Sequence, residues 1–133
     1  RGDSYCVIGK YWQAIESTSA AIAIDPALWD AYNYRGVAYG QLGDYDKALE
    51  DLMYAIDIAI ETRTISYTCY VNRGYIYLKQ KKYDKALADL TEAIRLNSQD
   101  AEAYHLRAQV YKHLKQDERS AADAQEAAHL EPH

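Results

Sequence analysis

Apolar residues along this chain recur three and four positions apart in segments of about 14 residues, the spacing that lines one face of a helix. Tyr32, Tyr39 and Leu42 mark one such stripe. Ala48, Leu52, Ala55 and Ile56 mark the next, so the expected unit is a pair of helices whose stripes face each other. Gly36 and Ala48 stand where the two would cross, and larger side chains there would hold the backbones apart. Gly43-Asp44 and Gly9-Lys10 read as turns between paired helices, because glycine tolerates the positive φ of a helix end. Lys81-Lys82 occupies the matching place further along and predicts a less comfortable turn.

The pattern repeats. Arg35-Gly36-x-x-Tyr39, Arg73-Gly74-x-x-Tyr77 and Arg107-Ala108-x-x-Tyr111 are copies of one cassette, and Arg1-Gly2-x-x-Tyr5 is a fourth. Gly2 and Gly36 lie 34 residues apart, as do Gly74 and Ala108, whereas Gly36 and Gly74 lie 38 apart. Other positions keep step: Tyr11, Tyr45 and Tyr83; Ala14, Ala48 and Ala86, with Ser120 in the last copy; Ala21, Ala55, Ala93 and Ala127; and Pro26 and Pro132 at the ends of the first and last copies. A period of this size signals a solenoid, in which no unit buries both faces alone and each covers its neighbour. The four extra residues fall between Ile60 and Tyr70, a stretch without Gly or Pro. Four residues are about one helical turn, so the second helix of that copy is expected to run a turn longer, reversing near Thr62 to Ser66.

This register resembles the tetratricopeptide repeat, whose 34-residue signature is W-x2-L-G-x2-Y followed by Ala, an aromatic residue and Pro. Tyr32, Tyr70 and Tyr104 stand where that pattern has Trp, and the Arg before the small residue resembles an Arg-Gly variant of bacterial and archaeal members. The resemblance implies an all-α, right-handed superhelical solenoid of antiparallel helix pairs. About three full repeats would follow a truncated one, at approximately 1–28, 29–66 with the insertion, 67–100 and 101–133, together forming a single domain. The chain lacks an initial Met and starts inside a cassette, which reads as a domain taken from a longer protein.

Composition narrows the function. Net charge is −5, with 20 acidic and 15 basic residues interspersed, which argues against nucleic acid as a partner. No apolar stretch is long enough to span a membrane, and these residues carry no signal-peptide pattern, although a targeting segment could have been removed with a missing part. The 14 Tyr residues, beside two Trp and no Phe, follow from the cassette and are expected in the core. Cys6 and Cys69 have no zinc-type spacing and are expected as reduced, partly buried thiols, which suits a cytoplasmic protein, with a disulfide as the alternative.

The sequence offers no GxGxxG, GxxxxGK[ST], HExxH, GxSxG or EF-hand loop, so no enzyme activity, cofactor or metal is expected. Glu102-x-x-His105 has metal-ligand spacing on a helix but lacks the second such pair that those sites use. Arg1-Gly2-Asp3 spells a cell-adhesion tripeptide, yet it coincides with the helical cassette. Each cassette Arg recurs with an Asp sixteen positions on, and Arg35–Asp51, Arg73–Asp89 and Arg107–Asp123 are expected to pair within their copies, each worth about 0.2–1 kcal/mol if exposed.

Family resemblance further implies that the first helix of each pair lines a concave groove. Opposite its core stripe lie Asn33, Tyr34, Val37 and Gln41, then Val71, Asn72, Tyr75 and Lys79, then His105, Gln109 and Lys112. Amides and tyrosines beside aliphatic residues suit a peptide backbone and its side chains. The expected function is therefore a protein-interaction module binding a peptide or helix, within a scaffold protein. Self-association through an uncovered apolar face of residues 11–24, or a regulatory role beside an enzyme, are the alternatives. Chaperone-binding members hold a C-terminal carboxylate with a Lys/Asn, Asn, Lys/Arg clamp, whose places here carry Asn33, Val37, Asn72, Glu102 and Leu106. Only Asn72 matches, and Glu102 would repel a carboxylate.

Overall fold

The computed structural model describes residues 2–64 and 66–130, with side chains from Gly9 onward. Among these residues there are seven helices and no strand: α1 (Gly2–Ile24), α2 (Trp29–Gln41), α3 (Tyr45–Glu61), α4 (Tyr67–Lys79), α5 (Tyr83–Leu96), α6 (Ala101–His113) and α7 (Asp117–Leu130). They fall into two compact units, Arg1–Ile65 and Ser66–His133.

In the first unit α2 packs on α1 and α3. Its core holds Ile15, Ala31, Ala38, Leu52, Ala55, Ile56 and Ala59, all buried. Close approach of α2 and α3 depends on a missing side chain: a Cβ on Gly36 would sit 2.9 Å from Leu52 Cγ and 3.1 Å from the Ala48 carbonyl. The expected turn at Gly9-Lys10 does not form, because α1 runs unbroken through it. Nothing lies within 4 Å of where a Gly9 side chain would be, so no packed partner demands a reversal there. Lys10 also stands where the second copy has Asp44, whose side chain caps α3 by accepting the Lys47 N–H at 3.3 Å. The insertion behaves as expected, for α3 has 17 residues against 14 in α5 and in α7.

In the second unit α4 packs on α5 and α6, α5 on α6, and α6 on α7. Val71, Leu78, Leu90, Leu106 and Val110 form its core with Ala86, Ala93 and Ala103. A Cβ on Gly74 would meet Leu90 Cγ at 2.8 Å, which repeats the Gly36 relationship. Where the last copy has Ala108 and Ser120, the Ser120 hydroxyl donates to the Ala108 carbonyl at 2.8 Å and joins α6 to α7.

Helices α2, α3, α4 and α6 end in one motif, with a left-handed residue after the last turn and two backbone bonds closing it. The cassette Tyr carbonyls of Tyr39, Tyr77 and Tyr111 accept from Asp44, Lys82 and Gln116 at 2.8–2.9 Å, and Ala59 accepts from Thr64 at 2.8 Å. Among the described residues Gly43 is the one glycine with positive φ; Arg63, Lys81 and Lys115 adopt it at 56°, 63° and 61°. The strained turn expected at Lys81-Lys82 is therefore present, and the same strain recurs at the two other turns.

Candidate functional site

The cassette arginines are fixed. Arg35, Arg73 and Arg107 each clasp an aspartate with two parallel hydrogen bonds, Nε to Oδ2 and Nη2 to Oδ1, at 2.7–2.8 Å. The pairs are those expected, but they are not exposed: Asp51, Asp89 and Asp123 are buried. An Asp on the inner face of the second helix meets an Arg whose stem crosses from the first, and each Arg carbon lies over the preceding cassette Tyr, at 5.6 Å from Tyr32 and 5.7 Å from Tyr70 and Tyr104. The aspartate hydrogen bonds raise all three guanidinium pKa values, against the opposing effect of burial. Arg35 and Arg107 also reach one helix back, to Ser19 Oγ at 3.2 Å and Thr91 Oγ1 at 3.4 Å. Arginines held this way stitch helices together and have little capacity left for a ligand.

The residues expected to line a groove separate by burial. In α2, Tyr34 is 64% exposed and Gln41 is exposed, while Val37 is half-buried and Asn33 is buried. In α4, Lys79 is exposed and Asn72 and Tyr75 are half-buried, but Val71 is part of the core. His105, Gln109 and Lys112 of α6 are all exposed. Of the residues expected on this face, Val71 is thus a core residue, Asn33 is buried, and Tyr75 packs against the core of the second unit. Lys79 Nζ sits 5.3 Å over the Tyr75 ring.

Within the second unit, then, adjoining helices α4 and α6 present Asn72, Tyr75 and Lys79 from one and His105, Gln109 and Lys112 from the other, at helical spacing. Leu106, at a carboxylate-clamp place, is buried in the core and offers no donor. Cys69 is fully buried, more so than expected, and burial pushes its thiol up to about 12, out of range for nucleophilic work. The Cys6 side chain and Arg1 lie outside the described residues. No group of three or more His, Cys, Asp and Glu residues that could hold a metal occurs among the described residues, and no described helix is long and apolar enough to cross a membrane.

Models of tetratricopeptide repeats match residues 2–43, 29–59, 67–100 and 101–133. The chain belongs to the tetratricopeptide repeat family. Its fold is shared by a crystal structure of MamA, 22% identical, with a TM-score of 0.80 over 97% of this chain and 73% of that one. The Arabidopsis OM64 tetratricopeptide repeat domain is 25% identical, with a TM-score of 0.73 over 78% of this chain and 83% of that one. The second such domain of Spaghetti (RPAP3), bound to the HSP90 peptide SRMEEVD, is 24% identical, with a TM-score of 0.71 over 99% of this chain and all of that one. No curated protein matches the sequence. The cassette Arg–Asp pairs expected from the sequence thus tie together the two helices of each repeat through buried aspartates. The signal for their burial was the three-fold recurrence of one Arg–Asp spacing.

Proposed function

We propose that this chain is a protein-interaction module that takes a peptide or helix of a partner protein on the open face of α4 and α6. The observation that carries this reading is the α4–α6 face of the second unit, where amide, aromatic and cationic side chains lie exposed or half-exposed on adjoining helices instead of the uniform charge of a solvated surface. The peptide-bound RPAP3 domain supports it as a precedent for this fold. A heat-shock peptide of that kind is not the proposed ligand here, because Glu102 and Leu106 occupy places a carboxylate clamp would need as cations. Binding in a larger scaffold protein, in a reducing compartment such as the cytoplasm, fits the buried free Cys69.

Peptides selected from a random library against the chain should bind at about micromolar affinity, near −8 kcal/mol. They should lose about tenfold or more on the combined change Asn72→Ala with Gln109→Ala. Unchanged affinity in that variant contradicts the reading.

A second reading, self-association, is favoured by Trp12 and Ile24 on α1, which are 55% and 87% exposed. Sedimentation velocity over a concentration series tests it, with Trp12→Ser expected to abolish any concentration dependence.

A further inference from the structure

Charge in the second unit is not spread evenly. Six of the chain's 15 basic residues fall in two short stretches, Lys79, Lys81, Lys82 and Lys85 in one and Lys112 and Lys115 in the other, and Asp84 is the single acid inside either stretch. This concentration occurs in a chain whose net charge is −5. The first stretch is the α4–α5 turn and the second the end of α6 with its turn into α7.

The fold brings the two stretches together. Tyr83 at the start of α5 stacks on His113 at the end of α6, with ring centroids 4.8 Å apart and planes 10° from parallel. Beside this stack lies an open depression of about 310 Å³ lined by Lys81, Lys82, Tyr83, Asp84, Lys85 and Leu114. Among the described residues none of the six lysines takes part in an ion pair. Lys79 and Lys85 instead lie over Tyr75 and Tyr77, at 5.3 and 5.7 Å. The lysines are thus gathered without the carboxylates that accompany the cassette arginines. Two of the turns that display them, at Lys81 and Lys115, hold a strained left-handed lysine where glycine would be easier.

We propose that these two turns form a second docking surface, adjoining the α4–α6 helix face at Lys79 and Lys112 and centred on the Lys81–Lys85 turn, for a short acidic peptide segment carrying one aliphatic or aromatic residue. Unpaired ammonium groups supply charge complementarity to Asp and Glu side chains. The Tyr83–His113 stack and Leu114 supply an apolar wall for the one large side chain, and the depression has room for no more than a few such groups. A polypeptide fits better than a nucleic acid or an anionic bilayer. Those present extended arrays of phosphate, which would also meet Asp84, Asp117 and Glu118 beside the lysines and the negative charge of the whole chain.

The test is fluorescence anisotropy with a labelled peptide of glutamates flanking a single leucine, at about 50 and about 200 mM salt. The peptide should bind the unmodified chain, weaken several-fold at the higher salt, and lose about tenfold or more in a Lys81→Glu, Lys82→Glu variant. It should be unaffected by Asn72→Ala with Gln109→Ala, so failure here and failure of the helix-face reading are separable. Lys82→Gln with Lys85→Gln, which leaves both backbone strain and helix content untouched, should weaken binding in the same direction should the charge-reversed variant not fold. No binding by the unmodified chain overturns the proposal. So does equal binding by the folded variants, or tighter binding of an oligonucleotide or of phosphatidylserine vesicles than of the peptide.

Discussion

Arg73 and Asp89 are joined by two parallel hydrogen bonds of 2.8 Å, with the aspartate buried and about a fifth of the arginine side chain (22%) open to solvent. This geometry recurs in the pairs on either side of it in sequence. A bidentate fork between a buried carboxylate and a guanidinium fixes both separation and rotation of two helices, which a lone apolar contact does not. Asp89→Ala leaves Arg73 half-buried and unpaired and is expected to cost about 2–3 kcal/mol, toward the lower end for a broken buried pair because the arginine keeps some water. Arg73→Lys should recover little, since a point charge cannot reproduce the fork. A double-mutant cycle by urea unfolding checks this, with a coupling of about 1 kcal/mol or more expected between the two positions.

Gly74 leaves no room for a side chain against Leu90. Gly74→Ala gains about 1 kcal/mol of helix propensity but drives a methyl to 2.8 Å from Leu90 Cγ. The branch point of a fully buried leucine cannot step aside freely, so a net loss of about 1–2 kcal/mol is expected. The last copy carries Ala108 with Ala124 sixteen positions on, where Leu52 and Leu90 stand in the others, so where the crossing residue is larger its opposite is smaller. Thermal unfolding of Gly74→Ala, Leu90→Ala and the double change should show costs that sum to more than that of the pair.

Gly43 and Lys81 hold one turn conformation with different residues. Lys81→Gly is expected to stabilise by about 0.5–1 kcal/mol, and Gly43→Lys to destabilise by a similar amount, as left-handed strain is removed or introduced. Nothing lies within 4 Å of a Cβ at Gly43, so any loss there is conformational and not steric. Chemical denaturation midpoints with unchanged slopes check both.

Cys69 gives the chain an alkaline weakness. Burial raises its pKa to about 12 from the ordinary thiol value of 9.0. A raised folded value leaves stability intact below the unfolded pKa and removes it as pH climbs from about 9 towards 12, because only the unfolded chain then sheds the proton. Stability should fall over that window by more in a Cys6→Ser background than in a Cys6→Ser, Cys69→Ala background. In the former, native protein at pH 8 should resist a thiol reagent until it is unfolded.

Much of this architecture was legible in the residues because repetition multiplies each signal. Arg–Asp spacing recurred three times, and one crossing glycine would have meant little without Gly36 and Gly74 in the same register. What escaped was burial, which depends on neighbours that one helix's pattern does not name. Val71 lies next to the exposed stripe by helical angle, yet it packs in the core with residues of α5 and α6, and Asn33 is buried too. Tyr75 is half-buried, packed against that core. Gly9-Lys10 had the composition of a turn but neither the capping Asp nor the packed partner that makes Gly43-Asp44 one, and α1 passes through it.

The location of a bound peptide tests the central claim most directly. Amide chemical-shift mapping of a library-selected peptide titrated into labelled chain should perturb Asn72, Tyr75, Lys79, His105, Gln109 and Lys112, and leave the outward faces of α5 and α7 unchanged. A footprint confined to α5 and α7, or to the Lys81–Lys85 turn with the α4–α6 face silent, would contradict it.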